Sequence, residues 1–263
     1  MRRIAAPFLL GLPDTGMVFA KQLYVKWKGI GSSEASSLQV GRFEFNDASE
    51  LIPKNLTLAT LKRGRISRRL IGTVGFLDVG RSFDGFRYSF SKPTNDFTFA
   101  AATPTRGVFQ TDGWGWNRAA FGYASFTHQW GTGNHAADTR VFVIDYDDFR
   151  HIVKTDNRPV AVRRNDLSNI RLQTRGAHSV HALTSKAGTV DALGWLALQT
   201  GKWGTQTLLA YAVDFEGGFQ PKVLPKQKPW LRGGFTRGSG EGMRRSSRFY
   251  RRRGRMRGFR SST

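Results

Sequence analysis

Between Asp84 and Lys92 aromatic side chains fall on every second residue: Phe86, Tyr88 and Phe90, with Arg87, Ser89 and Ser91 between them. A strand turns successive side chains to opposite faces, so this spacing builds a sheet with one apolar and one polar face. The rhythm returns along most of the chain. Met17–Lys28 alternates Leu23, Val25 and Trp27 with Gln22, Tyr24 and Lys26. Leu38–Asp47 sets Gln39, Gly41, Phe43 and Phe45 against Arg42 and Glu44. Asp96–Thr103 opposes Phe97, Phe99 and Ala101 to Asp96, Thr98 and Ala100, and Thr139–Arg150 opposes Phe142, Ile144 and Tyr146 to Val143, Asp145 and Asp147. Ile170–Leu183 aligns Arg171, Gln173, Arg175, Ser179 and His181, while Gln206–Glu216 turns Leu209, Tyr211, Val213 and Phe215 outward. With Arg118–Trp130, Thr189–Gly201 and Lys228–Arg237, about ten strands are expected.

The interruptions are as informative as the strands. Residues 48–70 lose the alternation, and Pro53-Lys54-Asn55 precedes Leu56–Leu70, whose apolar spacing predicts a short helix carrying Arg63, Arg65, Arg68 and Arg69. These arginines, and those of the basic loop Lys154–Asn169, read as solvated surface or lipopolysaccharide contact, with a direct role towards substrate as the alternative. Turns at 92–95, 131–137, 185–188 and 202–205 are short, whereas other connections are long.

Such a sheet can bury its apolar face against a second sheet in water, or turn it to lipid. No apolar run reaches the roughly eighteen residues of a membrane helix, so a membrane role requires a closed β-barrel. Strands near ten residues, short turns alternating with longer loops, and Trp27, Trp130, Trp203 and Trp230 near strand ends fit an outer-membrane barrel with an aromatic girdle. The expected fold class is therefore an all-β, antiparallel transmembrane β-barrel. A soluble β-sandwich is the alternative.

Composition removes several function classes. The chain has no Cys, which excludes disulfides and thiolate metal sites, and its five His show no metal-binding spacing, so no metal or other cofactor is expected. Asp145, Asp147 and Asp148 are close in sequence, yet alternation turns Asp148 away from the other two. Asp191 and His181 can approach across neighbouring strands, but no nucleophile accompanies them, and no enzyme is expected. The net charge is +22 over 263 residues. Nine Arg and no acid lie in 244–263, so the remainder still carries +13 (22 less 9), spread through the alternating segments. A diffusely positive lumen attracts anions.

Several blocks read together resemble one family. VGRFEFNDASELIPKN (40–55), LATLKRGRISRRLIG (58–72), VGRSFDGFRYSFSKP (79–93), TPTRGVFQTDGWG (103–115), KTDNRPVAVRR (154–164) and QPKVLPKQKPWLRGGFTRGSG (220–240) are similar, in order, to the bacterial alginate-export, porin-like outer-membrane proteins. The resemblance implies passive export or diffusion of an anionic polysaccharide, or of small anions, through an arginine-lined lumen. It implies outer-membrane lipid and the barrel assembly machinery as partners, and localisation to the cell outer membrane. Barrels of that family have roughly eighteen strands, so residues 1–240 would supply an incomplete one. Strand parity puts Lys26, Arg42, Glu44, Arg87, Asp145, Arg171, Arg175 and Arg232 on the polar side, which makes them the candidate lumen residues. Rings of basic groups select anions, interspersed acids keep binding weak, and the Arg fork grips a carboxylate in two places.

Both ends of the chain carry further expectations. Met1-Arg2-Arg3 and the apolar stretch Ile4–Leu12 imitate an export signal, but Pro13-Asp14 interrupts it and no small-residue cleavage site follows, so the chain is expected to begin inside a longer protein. Residues 241–263 form a basic, Arg-rich tail that is expected to be disordered. Arg/Gly/aromatic tails bind RNA or DNA, which makes a nucleic-acid-binding β protein the alternative function. Relatives in the resembled family continue with a peptide like FFQVLPTPRAYARFPFFN. Permissible codons for that peptide, read one nucleotide later, give residues 246–263, so a frameshift near Glu241 is the expected origin of the tail.

Overall fold

A computed structural model of the chain describes residues 20–72, 81–106, 115–223, 227 and 229–239. The start of the first expected strand, residues 107–114 of the connection before Arg118–Trp130, and the tail with its nucleic-acid and frameshift readings lie outside them. Ten strands form one open antiparallel sheet in strict sequence order. They are β1 (Leu23–Lys28), β2 (Ser36–Phe43), β3 (Phe83–Ser91), β4 (Asn95–Pro104), β5 (Ala119–Trp130), β6 (His135–Asp148), β7 (Ile170–Thr184), β8 (Gly188–Trp203), β9 (Gln206–Pro221) and β10 (Leu231–Gly238). Each pairs with its neighbours in the chain, and β1 and β10 are the two edges. All ten expected strands are present, and several run longer than the alternation marked, because a turn residue can keep extending the ladder until its partner strand ends.

On one edge the strands are joined through 92–94, 131–134 and 185–187; on the other, through 44–82, 105–118 and 149–169. Residues 204–205 are the short exception on the second edge. That turn needs Gly204, at φ +65°, and the Asp166 carboxylate lies where a β-carbon would stand. Asp166 accepts from the Thr205 backbone N–H (3.0 Å) and from Arg158 (2.7 Å). Burial works against its charge, but these hydrogen bonds outweigh burial and hold the carboxyl well below the usual carboxylate range. The basic loop is thereby pinned to the β8–β9 turn, and it contains a short helix, α2 (Val160–Asn165).

Residues directly opposed on antiparallel strands share a face, so the pairings trace rows across the sheet. One row is Lys26, Gln39, Arg87, Ala100, Tyr123, Ile144, Thr174 and Gln199. The next, on the opposite face, is Trp27, Leu38, Tyr88, Phe99, Ala124, Val143, Arg175, Leu198 and Tyr211.

The first face is covered. The β2–β3 connection folds across it as a strap, with Phe45, Leu58, Leu61 and Ile66 packed into a core shared with Phe121, Tyr123, Phe142, Ile144, Val180, Leu193 and Trp195. The strap meets strands from β5 to β9, so the sheet curls around it.

Among the described residues the second face is bare. Val25, Trp27, Val40, Phe86, Phe97, Phe99, Phe126, Val141, Leu196, Leu198, Leu209, Tyr211 and Phe215 are all exposed on it. Towards the long-loop edge this apolar band gives way to Arg42 bound to Asp84 (2.7 and 2.6 Å), and Arg171 beside Asp147 (3.5 Å). Trp27 and Trp130 belong to the bare face. Trp203 and Trp230 do not belong to a girdle on that face: Trp203 is opposite buried Ile170, and Trp230 donates to Asp191 on the covered face (2.8 Å).

Candidate functional site on the covered face

The strap is a built element. The expected helix over Leu56–Leu70 is shorter: α1 (Leu56–Leu61) passes into a π-helical turn, Lys62–Ile66. The Asn55 side chain caps α1 by accepting from the Leu58 N–H (3.1 Å), satisfying one of the donors a helix start leaves free. Helical winding ends at Ser67, whose φ −59° and ψ 142° leave the helical region, and Arg68 follows at φ +66°.

Asp47 ties the strap's two ends together, accepting from the backbone N–H groups of Ile71 (2.9 Å) and Leu70 (3.2 Å). Burial pushes its carboxyl up to about 6, against those hydrogen bonds. A raised carboxylate favours the folded state at low pH, and that contribution is lost as pH rises through about 6. Between pH 4 and 7 the strap is therefore expected to lose about 2–3 kcal/mol of stability from this group. Hydrogen exchange of strap amides measures it, and Asp47→Asn should flatten the pH slope. An unchanged slope in that variant sinks the assignment.

The charges of the strap meet those of the strands. Lys62 Nζ bonds both Asp138 oxygens at 2.9 Å, with neither side chain exposed. His178 Nε2 lies 3.1 Å from the same carboxylate. Burial pulls the Lys62 ammonium below its usual range, with Asp138 opposing that shift. Arg65 binds Glu216 (3.0 Å), and Arg69 binds Asp214 while stacking over Trp195 at 4.7 Å. Arg232 reaches both Asp191 and Glu216 at 2.6 Å. Buried Arg140 bonds the Tyr123 hydroxyl and stands 3.7 Å from Glu50 of the strap. The face is thus lined by matched cation–carboxylate pairs, several of them bridging strap and strand.

Of the eight residues expected in the lumen, Lys26, Arg87 and Arg232 are on the covered face. Arg87 lies 5.9 Å over the Phe45 ring and donates to Ser89 (3.1 Å). Arg42, Asp145, Arg171 and Arg175 are on the bare face, so the eight residues do not share one face as the alternation suggested. Asp145 accepts there from Gln173 (2.8 Å), and Arg175 stands between Val143 and Leu198. Glu44 follows the end of β2 and pairs with Lys21 (2.6 Å), outside the covered network. Asp191 and His181 fall on opposite faces and do not approach, since Asp191 is opposite Ala182 and His181 opposite Ala192.

Arg69 is paired within the network rather than free in solvent, and Arg65 joins the network while remaining exposed, as Arg63 is. The signal for them was the recurrence of acids at covered-face positions, Asp138, Asp191, Asp214 and Glu216, which demanded cations from elsewhere in the chain. No protein-family model matches the chain, and no match to it is found among curated proteins or solved structures.

Proposed function

We propose that the chain forms wall strands of a porin-like outer-membrane β-barrel, with the covered face towards the lumen and the bare face towards lipid. The observation that carries this reading is the apolar band, which crosses the sheet on the face opposite the strap. In water, a continuous band of exposed Val, Leu, Phe, Tyr and Trp is an aggregation liability; against acyl chains it is the required surface. The resemblance to alginate-export proteins supports the same reading, as does the sequential antiparallel order. With β1 and β10 both edges, closing the barrel requires further pairing at those strands.

The proposed solute is an anionic polysaccharide or a smaller anion. Arg65 grips Glu216 through two nitrogens, Arg69 holds Asp214 through one, and Arg232 bridges Asp191 and Glu216, so a solute carboxylate competes with these acids for the same groups. Competition of this kind keeps binding weak enough for release, which passive conduction requires. The strap narrows the route.

Brominated acyl chains test the lipid assignment. Variants retaining one Trp each, at 27, 130 or 195, are folded into vesicles containing brominated lipid. Trp27 and Trp130 fluorescence should be strongly quenched, and that of buried Trp195 little affected. Equal quenching at all three positions, or none at Trp27, refutes the lipid-facing role.

A further inference from the structure

A cavity of 580 Å³ lies on the covered face towards the long-loop edge, beside the strap's exit. Phe83, Phe121, Ile144, Tyr146 and Leu172 form its apolar wall, with Ile71 of the strap at one side. Phe83 and Phe121 meet edge to face, with ring centroids 5.2 Å apart. Its volume falls within the range of small-molecule sites, about 300–1,000 Å³.

The charges around it are unlike those of the strap network. Among the described residues Arg68, Arg81 and Arg150 line the cavity, and no Asp or Glu does. Asp148 engages Arg150 (2.9 Å), so one of the three cations is matched. Arg81 has its Nε buried without a hydrogen-bond partner. Leaving such a donor dry and unpaired is costly, so the group calls for an acceptor. Arg68 reaches the cavity from its left-handed backbone conformation, held by its N–H to the Asp47 carbonyl (3.1 Å). Strained backbone of this sort is kept where the surroundings enforce it, and it clusters at ligand sites.

We propose that this cavity binds an aromatic monocarboxylate, with its ring against Phe83, Phe121 and Leu172 and its carboxylate on Arg81 and Arg68. A neutral aromatic leaves the Arg81 Nε unpaired. A polyanion finds, among the described residues, two unmatched cations and an apolar floor. An aromatic acid satisfies both halves of the site, with edge-to-face contacts for the ring and a charge-assisted hydrogen bond for the carboxylate. The site is separate from the Arg65–Arg69–Arg232 network and does not depend on the conduction reading.

The test uses the folded chain in amphipol, which offers no micelle for the probe, and follows 2-naphthoate binding by fluorescence anisotropy. Saturable binding is expected, with neutral 2-naphthol at least tenfold weaker. Arg81→Ala should weaken 2-naphthoate at least tenfold, and Arg81→Lys should recover part of the loss. Leu172→Trp, which fills the cavity, should abolish binding while the circular dichroism is retained. Absence of saturable binding overturns the proposal. So does equal affinity for 2-naphthol, which needs no variant to fold, or unchanged affinity in Arg81→Ala.

Discussion

Asp138→Ala is expected to destabilise the folded sheet by about 3–5 kcal/mol, the cost of stranding a buried charge. Lys62 sits with no side-chain exposure and has both Asp138 oxygens as partners, while His178 leans on the same carboxylate. Removing Asp138 leaves the ammonium without its bonded counter-charge, with the Glu50 charge opposed by Arg140, beside the apolar core of Leu58, Leu61 and Val180. Urea unfolding in detergent micelles, followed by far-UV circular dichroism, measures the loss. The double variant Lys62→Met/Asp138→Leu should recover most of it, because a buried ion pair is often no better than an apolar pair of similar volume. A single-variant loss below about 1 kcal/mol would mean that water reaches Lys62 and that the strap does not seal that part of the face.

Val141→Arg is expected to cost about 2–4 kcal/mol when the chain is folded in phospholipid vesicles. Val141 is 53% exposed in the middle of the bare band, in one row with Phe97, Phe126 and Leu196. An exposed valine on a water-facing sheet changes stability by no more than about 0.5 kcal/mol on such a substitution. The two solvents therefore give well-separated answers in the same unfolding experiment. A near-neutral result in vesicles excludes lipid at this position.

The strands were legible in the sequence because period-two alternation is local, and every pairing in this sheet joins neighbours in the chain. The faces were harder. Alternation shows that Arg171, Gln173 and Arg175 share a side, but it does not show which side is covered. The polar side of β7 was assigned to the lumen, yet the strap brings its own apolar surface in Phe45, Leu61 and Ile66. The strands under it must answer with Phe142, Ile144, Val180 and Leu193, so apolar residues line much of the covered face. Arg232 lies on the covered face, because β10 is beyond the main apolar contact and its arginine meets Asp191 and Glu216 there. The pairing of Arg65 and Arg69 with β9 was invisible to any local pattern, since it depends on the strap crossing most of the sheet.

That crossing has a kinetic consequence. Nine hairpin pairings can zip up one after another, each closing a modest loop, but Arg65 and Glu216 are 151 residues apart in the chain. Closing so long a loop is entropically slow until the intervening strands are in place. The strap is accordingly expected to lock last, after β9 has formed, so assembly has an early wall-building phase and a late docking phase. Until docking, Phe142, Ile144 and Leu193 remain uncovered, and an intermediate of this kind is the form of the chain most in need of protection from aggregation.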